Sequence, residues 1–248
     1  MILGMDTATA GTAVAVWTPD GPAIERRDDP PPGARPAHAG RLLALVEDAF
    51  AAAHAKWDDI DRIAVGVGPG SFTGLRLGIA TARGLAQARK LPLAGVSSLA
   101  ALAAGAEGGQ TPLLPGETRG LTPLVTHTQG VRPLESHTLK GSDPVVAVID
   151  ARRGEVFAAA PGVFGPVALA PEALAERIRP GWLAVGDGAV RFREPLEMAG
   201  AVIPADDAPV HRVSALQVCR LGATVKPADR DALLPDYRRE PDAKPRQQ

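Results

Sequence analysis

The same short pattern occurs twice in the sequence: an apolar run that ends in aspartate, a small polar turn, and a second apolar run. The first copy spans residues 2–17 and contains Asp6, and the second spans residues 145–160 and contains Asp150. Apolar runs separated by turn residues are typical of β-hairpins. The correspondence favours a chain built from two copies of one unit, although a match this short also arises between unrelated hairpins.

The segments after the first copy alternate between helix and strand patterns. From Gly40 onwards, apolar residues recur at the spacing of a helix with one apolar face. They are Leu42, Leu45, Val46, Ala49, Phe50 and Ala53. A buried-type strand at Ile60 to Val67 precedes a helix at Leu75 to Lys90, and a further strand follows at Leu93 to Val96. Strands that alternate with helices predict an α/β fold.

A glycine-rich loop from Gly66 to Gly74 joins one of these strands to the following helix. The loop lacks the lysine of a Walker A loop and has Ser71 where a dinucleotide fingerprint would have glycine, so neither nucleotide motif fits. Gly74, Gly78 and Ala82 then follow at four-residue spacing on one helix face. Small residues at this spacing let another backbone approach closely. That backbone belongs either to the chain's own sheet or to a second subunit.

The region at 105–144 shows neither the strand nor the helix period. It contains seven glycines, five prolines and no aromatic residue, which predicts a flexible insertion or linker. The chain is therefore divided into a first domain at 1–104, completed by a helix at 210–225, and a second, smaller domain at 145–209. A C-terminal tail at 226–248 is rich in proline and mixed charges.

The charge balance restricts the kinds of partner that the chain can hold alone. It has 27 Lys and Arg against 28 Asp and Glu, a formal net charge of −1, so a broad positive surface for nucleic acid is excluded.

The single cysteine, Cys219, excludes an internal disulfide and favours a reducing compartment. The N-terminal apolar run has no basic region before it, unlike a signal peptide. No apolar stretch approaches the roughly 20 residues of a membrane span. We expect a cytoplasmic protein with no membrane contact.

The turn after the first strand has side chains that suit a phosphate or a hydrated Mg²⁺ ion. Asp6, Thr7 and Thr9 offer one carboxylate and two hydroxyls. The same residue types also stabilise ordinary hairpins by bonding their own backbone. His38 precedes the first long helix, but Leu42 stands one turn later, where a metal site would need a second imidazole. We expect no metal site.

Four segments resemble the bacterial TsaB family, also called YeaZ. Gly66 to Gly84 is similar to the signature of that family, and Met1 to Thr9 to its first strand and turn. Asp150 to Phe157 resembles its second-domain hairpin, and Pro235 to Arg239 resembles its terminal Pro-x-Tyr-x-Arg. The resemblance covers both halves of the chain.

The resemblance implies an actin/Hsp70-like ATPase (ASKHA) fold of two related α/β domains. It also implies a role in making N6-threonylcarbamoyladenosine beside the tRNA anticodon. In the family's system a separate enzyme makes threonylcarbamoyl-adenylate, the paralogous subunit TsaD transfers the threonylcarbamoyl group, and the ATPase TsaE joins the complex. TsaD carries a His-x-x-x-His metal pair where this chain has His38 and Leu42.

By the same resemblance, this chain is a noncatalytic subunit that binds and organises a TsaD-like transferase. It is expected to contact tRNA only through the complex and to carry no cofactor of its own, with ATP and metal on the partner subunits. Whether the free chain forms a homodimer stays open.

We predict that two helices form the partner interface. The predicted contact residues are Leu42, Leu45, Val46, Ala49, Phe50, Gly74, Gly78 and Ala82.

Two other functions remain as alternatives. One is a free-standing phosphotransferase of the same superfamily, although Arg152 and Arg153 would crowd a phosphate at the second turn. The other is a metallopeptidase-like protein, which would need a second histidine beside His38.

Overall fold

Two β-sheets form the centre of the fold. The structure, a computed structural model, describes residues 1–31, 33–107, 144–229 and 232–238. The strands are β1 (Ile2–Asp6), β2 (Thr12–Trp17), β3 (Ala23–Asp28), β4 (Arg62–Gly68), β5 (Leu93–Ser97), β6 (Val145–Arg152), β7 (Glu155–Ala160), β8 (Phe164–Leu169) and β9 (Leu183–Val185). The helices are α1 (His38–Ala53), α2 (Phe72–Arg89), α3 (Ser98–Glu107), α4 (Pro171–Ala175), α5 (Asp187–Arg191), α6 (Arg193–Met198) and α7 (Ala215–Thr224), with 3-10 turns at Trp57–Asp59 and Pro209–His211.

The two sheets repeat one topology. The first has the strand order β3-β2-β1-β4-β5, and the second has the order β8-β7-β6-β9. In each sheet the first strand of the unit pairs antiparallel with the next strand and parallel with the fourth. The aspartates also correspond, because Asp6 Oδ1 accepts the N–H of Ala8 and Asp150 Oδ1 accepts the N–H of Arg152, both at 2.8 Å. The prediction of two related α/β units is confirmed.

The first sheet is covered on both faces, which explains why its central strands are apolar throughout. Successive side chains of a strand point to opposite faces. Leu3 and Met5 of β1 therefore join a cluster with α1 and α2, whereas Ile2 joins a second cluster. This second cluster also contains residues of α3, α7 and the second sheet. The two domains thus share one apolar layer, in which α7 packs on the first sheet and α3 on β6.

Some boundaries differ from the sequence predictions. Residues 105–107, the first of the predicted insertion at 105–144, form the last turn of α3, and residues 108–143 lie outside the described part of the chain. Strand β8 escaped the sequence patterns because Gly165 and Pro166 interrupt it. Proline is tolerated there because β8 is an edge strand. An N–H on the outer side of an edge strand makes no hydrogen bond to another strand, so its absence costs nothing.

The predicted C-terminal tail from residue 226 is not free where the structure describes it. Ala228 donates its N–H to the carbonyl of Leu93 at 2.9 Å, and Asp236 donates its N–H to the carbonyl of Val67 at 2.7 Å. Leu233 is buried in the cluster that contains α1 and α2. The segment therefore packs along the first domain.

A search of the described residues for a helix that is long and apolar enough to cross a membrane finds none.

Candidate functional site

The predicted phosphate turn is bonded mainly within the chain. Asp6 is buried, and its Oδ2 accepts the hydroxyl of Ser98 at 2.6 Å. Burial raises the pKa of this carboxyl, and the hydrogen bonds from Ser98 and Ala8 oppose the increase. Thr7 is also buried and donates its hydroxyl to the carbonyl of Gly74 at 2.7 Å. The side chains of Asp6 and Thr7 therefore connect the hairpin to α3 and α2, and their role in binding a cofactor stays a prediction.

A cleft of about 890 Å³ lies between the two domains. Thr9 lines this cleft, whereas Asp6 and Thr7 do not. The other walls come from the start of α2, from the β6–β7 turn and from the C-terminal segment. The residues that line the cleft include Phe72, Arg76, Asp150, Arg152, Asp187 and Tyr237.

The β6–β7 turn presents arginine side chains to the cleft. Arg152 and Arg153 have φ angles of 66° and 54°, in the left-handed region, and both side chains are exposed. Asp150 Oδ2 lies 2.7 Å from Arg191 Nη1 and 3.4 Å from Arg152 Nη1. A turn that cradles phosphate offers backbone N–H groups at close approach. Here two large cationic side chains follow the aspartate instead.

Asp187 is a cleft residue that the sequence analysis did not single out. It is the first residue of α5, and its Oδ1 accepts the N–H of Asp150 at 3.0 Å. Burial raises the pKa of Asp187 to about 6, and the neighbouring Asp150 carboxylate adds to the increase. The sequence signal was slight, since Asp187 stands only as the middle residue of Gly186-Asp-Gly188.

His38 is buried at the start of α1 and contacts the first hairpin. Its Nδ1 lies 2.8 Å from the hydroxyl of Thr12, and burial lowers the pKa of the imidazole. Leu42, one turn later, is buried in the core. Within the described ranges, no group of three or more His, Cys, Asp or Glu side chains could hold a metal ion.

The eight residues predicted as the partner interface lie inside the first domain. They are Leu42, Leu45, Val46, Ala49, Phe50, Gly74, Gly78 and Ala82. The apolar stripe of α1 packs in the cluster that also holds Leu3 and Met5 of β1. A Cβ at Gly74 or Gly78 would collide with Thr7. These side chains are therefore core residues, and the prediction that they touch a partner is wrong.

The opposite faces of the same two helices are exposed. On α1, Leu43 is 53% exposed, and Gly40 is exposed with no atom of the described residues within 4 Å of the place a Cβ would take. On α2, Gly84 has the same open surroundings. Since α1 contacts α2, these residues belong to neighbouring helices on one side of the first domain.

An aromatic and cationic cluster lies where α2 begins. The rings of Phe72 and Tyr237 stack with centroids 5.2 Å apart, and Arg76 Cζ lies 3.7 Å from the Phe72 centroid. Arg76 Nε donates to the Tyr237 hydroxyl at 2.8 Å. The sequence showed Tyr237 only within its Pro-x-Tyr-x-Arg segment, and no local pattern connected it to α2.

Comparison with known proteins relates the chain to two groups of tRNA-modification proteins. Residues 30–116 match the family model "TsaD: tRNA N6-adenosine threonylcarbamoyltransferase". The chain is 33% identical over 199 residues to the tRNA threonylcarbamoyladenosine biosynthesis protein TsaB of Escherichia coli (strain K12), covering 75% of this chain and 71% of that protein. It is also 35% identical over 147 residues to a tRNA N6-adenosine threonylcarbamoyltransferase of Solidesulfovibrio magneticus, covering 55% of this chain and 39% of that protein.

Among solved structures, the fold is similar to YeaZ from Pseudomonas aeruginosa. The two superpose with a TM-score of 0.67 at 26% sequence identity, over 95% of this chain and 98% of the other.

Proposed function

Because the chain belongs to the TsaB family of tRNA threonylcarbamoyladenosine biosynthesis proteins, with the actin/Hsp70-like fold of two related α/β domains, we propose that it is a scaffold subunit. It binds and organises a TsaD-like transferase, which attaches the threonylcarbamoyl group to the adenosine next to the tRNA anticodon. The observation that carries this proposal is the outward side of α1 and α2, which exposes Gly40, Leu43 and Gly84 in the described part of the chain.

Gly84 is an exposed glycine in the interior of α2. Glycine in a helix interior destabilises a protein by about 0.5–1 kcal/mol relative to alanine. Among the described residues, no atom lies within 4 Å of the place that a Cβ on Gly84 or Gly40 would take. Alanine would therefore fit at both positions in the free chain. A partner backbone that approaches closely at these positions gives the glycines a purpose.

Leu43 adds apolar area to the same surface. It is 53% exposed on α1, whereas the neighbouring Leu42 is buried in the core. Leu43 follows Gly40 by three residues, so the two are neighbours on the exposed face of α1. The partner interface therefore uses the same helices as the sequence prediction, but with their outward faces.

The chemistry of the reaction belongs to the partners in this proposal. Asp6 and Thr7 are engaged within the chain, and the second turn carries Arg152 and Arg153. In this proposal the partner subunits, a TsaD-like transferase and a TsaE-like ATPase, carry the ATP and the metal. The formal net charge of −1 supplies little attraction for tRNA phosphates, so tRNA is contacted through the complex.

The interface is tested by substituting leucine for Gly84 and measuring affinity for the TsaD-like protein of the same cell. A bulky side chain at a close contact costs about 1–3 kcal/mol, which weakens binding about five- to 150-fold. The control is Gly165→Leu, because no atom of the described residues lies near the place of a Cβ on Gly165 either, but Gly165 lies on β8 in the second domain. A folded Gly84→Leu protein that binds like the parent would place the interface elsewhere.

The scaffold role is tested by reconstitution. The chain is incubated with threonylcarbamoyl-adenylate and unmodified tRNA, alone and then with the TsaD-like and TsaE-like proteins. Modified adenosine should form only with the partners present. Turnover by the chain alone would contradict the noncatalytic role, and tight binding and hydrolysis of Mg-ATP by the lone chain would favour the phosphotransferase alternative.

A further inference from the structure

The C-terminal segment at 232–238, here called the C-terminal brace, is built into the first domain. Its backbone is tied to β4 by the hydrogen bond from Asp236 N–H to the Val67 carbonyl at 2.7 Å. Leu233 fills a space that Gly95 of β5 leaves open, since a Cβ on Gly95 would lie 2.5 Å from Leu233 Cδ1. The brace thus has a fixed position on the sheet.

Two arginines of α2 hold the brace. Arg76 and Arg83 are seven residues apart, so they lie on the same side of the helix. Arg83 Nη2 donates to the carbonyl of Leu233, and Arg76 Nε donates to the Tyr237 hydroxyl at 2.8 Å. One side of α2 is therefore hydrogen-bonded to the C-terminal brace, which is itself hydrogen-bonded to β4 of the sheet.

The contact at Tyr237 acts on the first turn of α2. Phe72 is the first residue of the helix, and its ring stacks on Tyr237 and under the guanidinium of Arg76. Phe72 and Tyr237 remain 48% and 44% exposed. A stack at the surface contributes little buried core, so its main effect is to fix the direction in which the helix starts.

We propose that Tyr237 is a positioning residue for partner binding: through Arg76 and Phe72 the brace fixes the first turns of α2 and, with them, the exposed face that the partner contacts. This inference rests on the proposed function, because it takes α2 as part of the interface. It assigns the C-terminal segment a role in presenting that helix, without a direct contact between Tyr237 and the partner.

The test compares Tyr237→Ala with Tyr237→Phe, which keeps the stacked ring and loses the hydroxyl. Leu234→Ala is the matched control, because Leu234 belongs to the brace but is 70% exposed. Two quantities are measured: affinity for the TsaD-like protein, and amide hydrogen exchange in the free chain at residues 75–79 of α2 and in β6 and β7. Tyr237→Ala should speed exchange at 75–79 and weaken partner binding, each roughly ten-fold, since the stack and the cation–π contact both disappear.

Exchange in β6 and β7 should not change, Tyr237→Phe should recover most of both losses, and Leu234→Ala should behave like the parent. Weaker binding without faster exchange at 75–79 would mean that Tyr237 touches the partner itself and would overturn the proposal. Unchanged binding by Tyr237→Ala would overturn it as well. If the parent does not bind the TsaD-like protein at all, the proposed function fails, and that result is separate from the exchange measurement.

Discussion

Replacing Asp187 with asparagine should stabilise the chain, and the gain should depend on pH. The raised pKa of about 6, against an ordinary value of 3.8, means that the folded chain holds this proton more tightly than the unfolded chain does. Protonation therefore favours folding, and stability falls as the pH rises from about 4 to about 6. Asparagine carries no charge and retains an oxygen that can accept the N–H of Asp150.

The size of the effect follows from the two pKa values. A difference of about two units corresponds to about 3 kcal/mol at pH 7.5, where the carboxylate is charged in both states. At pH 5 the folded carboxyl is mostly protonated, and about half of that penalty is present. Because Asp187 keeps some contact with water, these values are upper limits. The advantage of Asp187→Asn should thus be larger at pH 7.5 than at pH 5 by up to about 1.4 kcal/mol.

The assay is urea unfolding of both proteins at pH 5 and pH 7.5, followed by circular dichroism. The comparison between two pH values removes any constant effect of the substitution. Asp20→Asn is the control, because Asp20 is an exposed carboxylate in a turn. An advantage of Asp187→Asn that is equal at the two pH values, or larger at pH 5, would refute the reasoning.

Two substitutions and one chemical modification test the interior. Gly78→Leu should lower the free energy of unfolding by at least about 1–3 kcal/mol, measured by urea titration, because a side chain there collides with buried Thr7. Ser98→Ala should cost about 1.5–3 kcal/mol in the same assay, because the buried Asp6 carboxylate loses a hydrogen bond; an unchanged midpoint would contradict its importance. Cys219 should react with a thiol reagent only on unfolding, since burial raises the pKa of its thiol; rapid reaction in the native state would show that α7 opens.

The sequence patterns predicted the fold better than they predicted the interface. The pattern of strand, aspartate and turn recurs in both halves. The sequence alone therefore identifies Asp6 and Asp150 as equivalent positions. The helical spacing of Leu42, Leu45 and Phe50 marked a buried face but could not say what buries it. A stripe that packs on the chain's own sheet has the same period as one that packs on a partner.

Other features depend on contacts between distant residues. Tyr237 and Phe72 are 165 positions apart, and no local pattern joins them. The proline and charge content after residue 226 predicted a C-terminal tail but not its docking, whereas the buried side chain of Leu233 helps to hold the described part in place. The raised pKa of Asp187 likewise follows from tertiary burial and from Asp150, which lies in a different element.

The apolar layer between the sheets makes the two halves of the chain interdependent. The C-terminal helix α7 covers the first sheet, so a fragment that ends at residue 107 would lack part of its own cover. A fragment that begins at residue 144 would carry α7 without the sheet on which it packs. Cutting the chain between these positions would therefore yield two pieces that need each other to fold, in the manner of a split protein. Although each half repeats the topology of the other, we expect that neither folds as a separate unit.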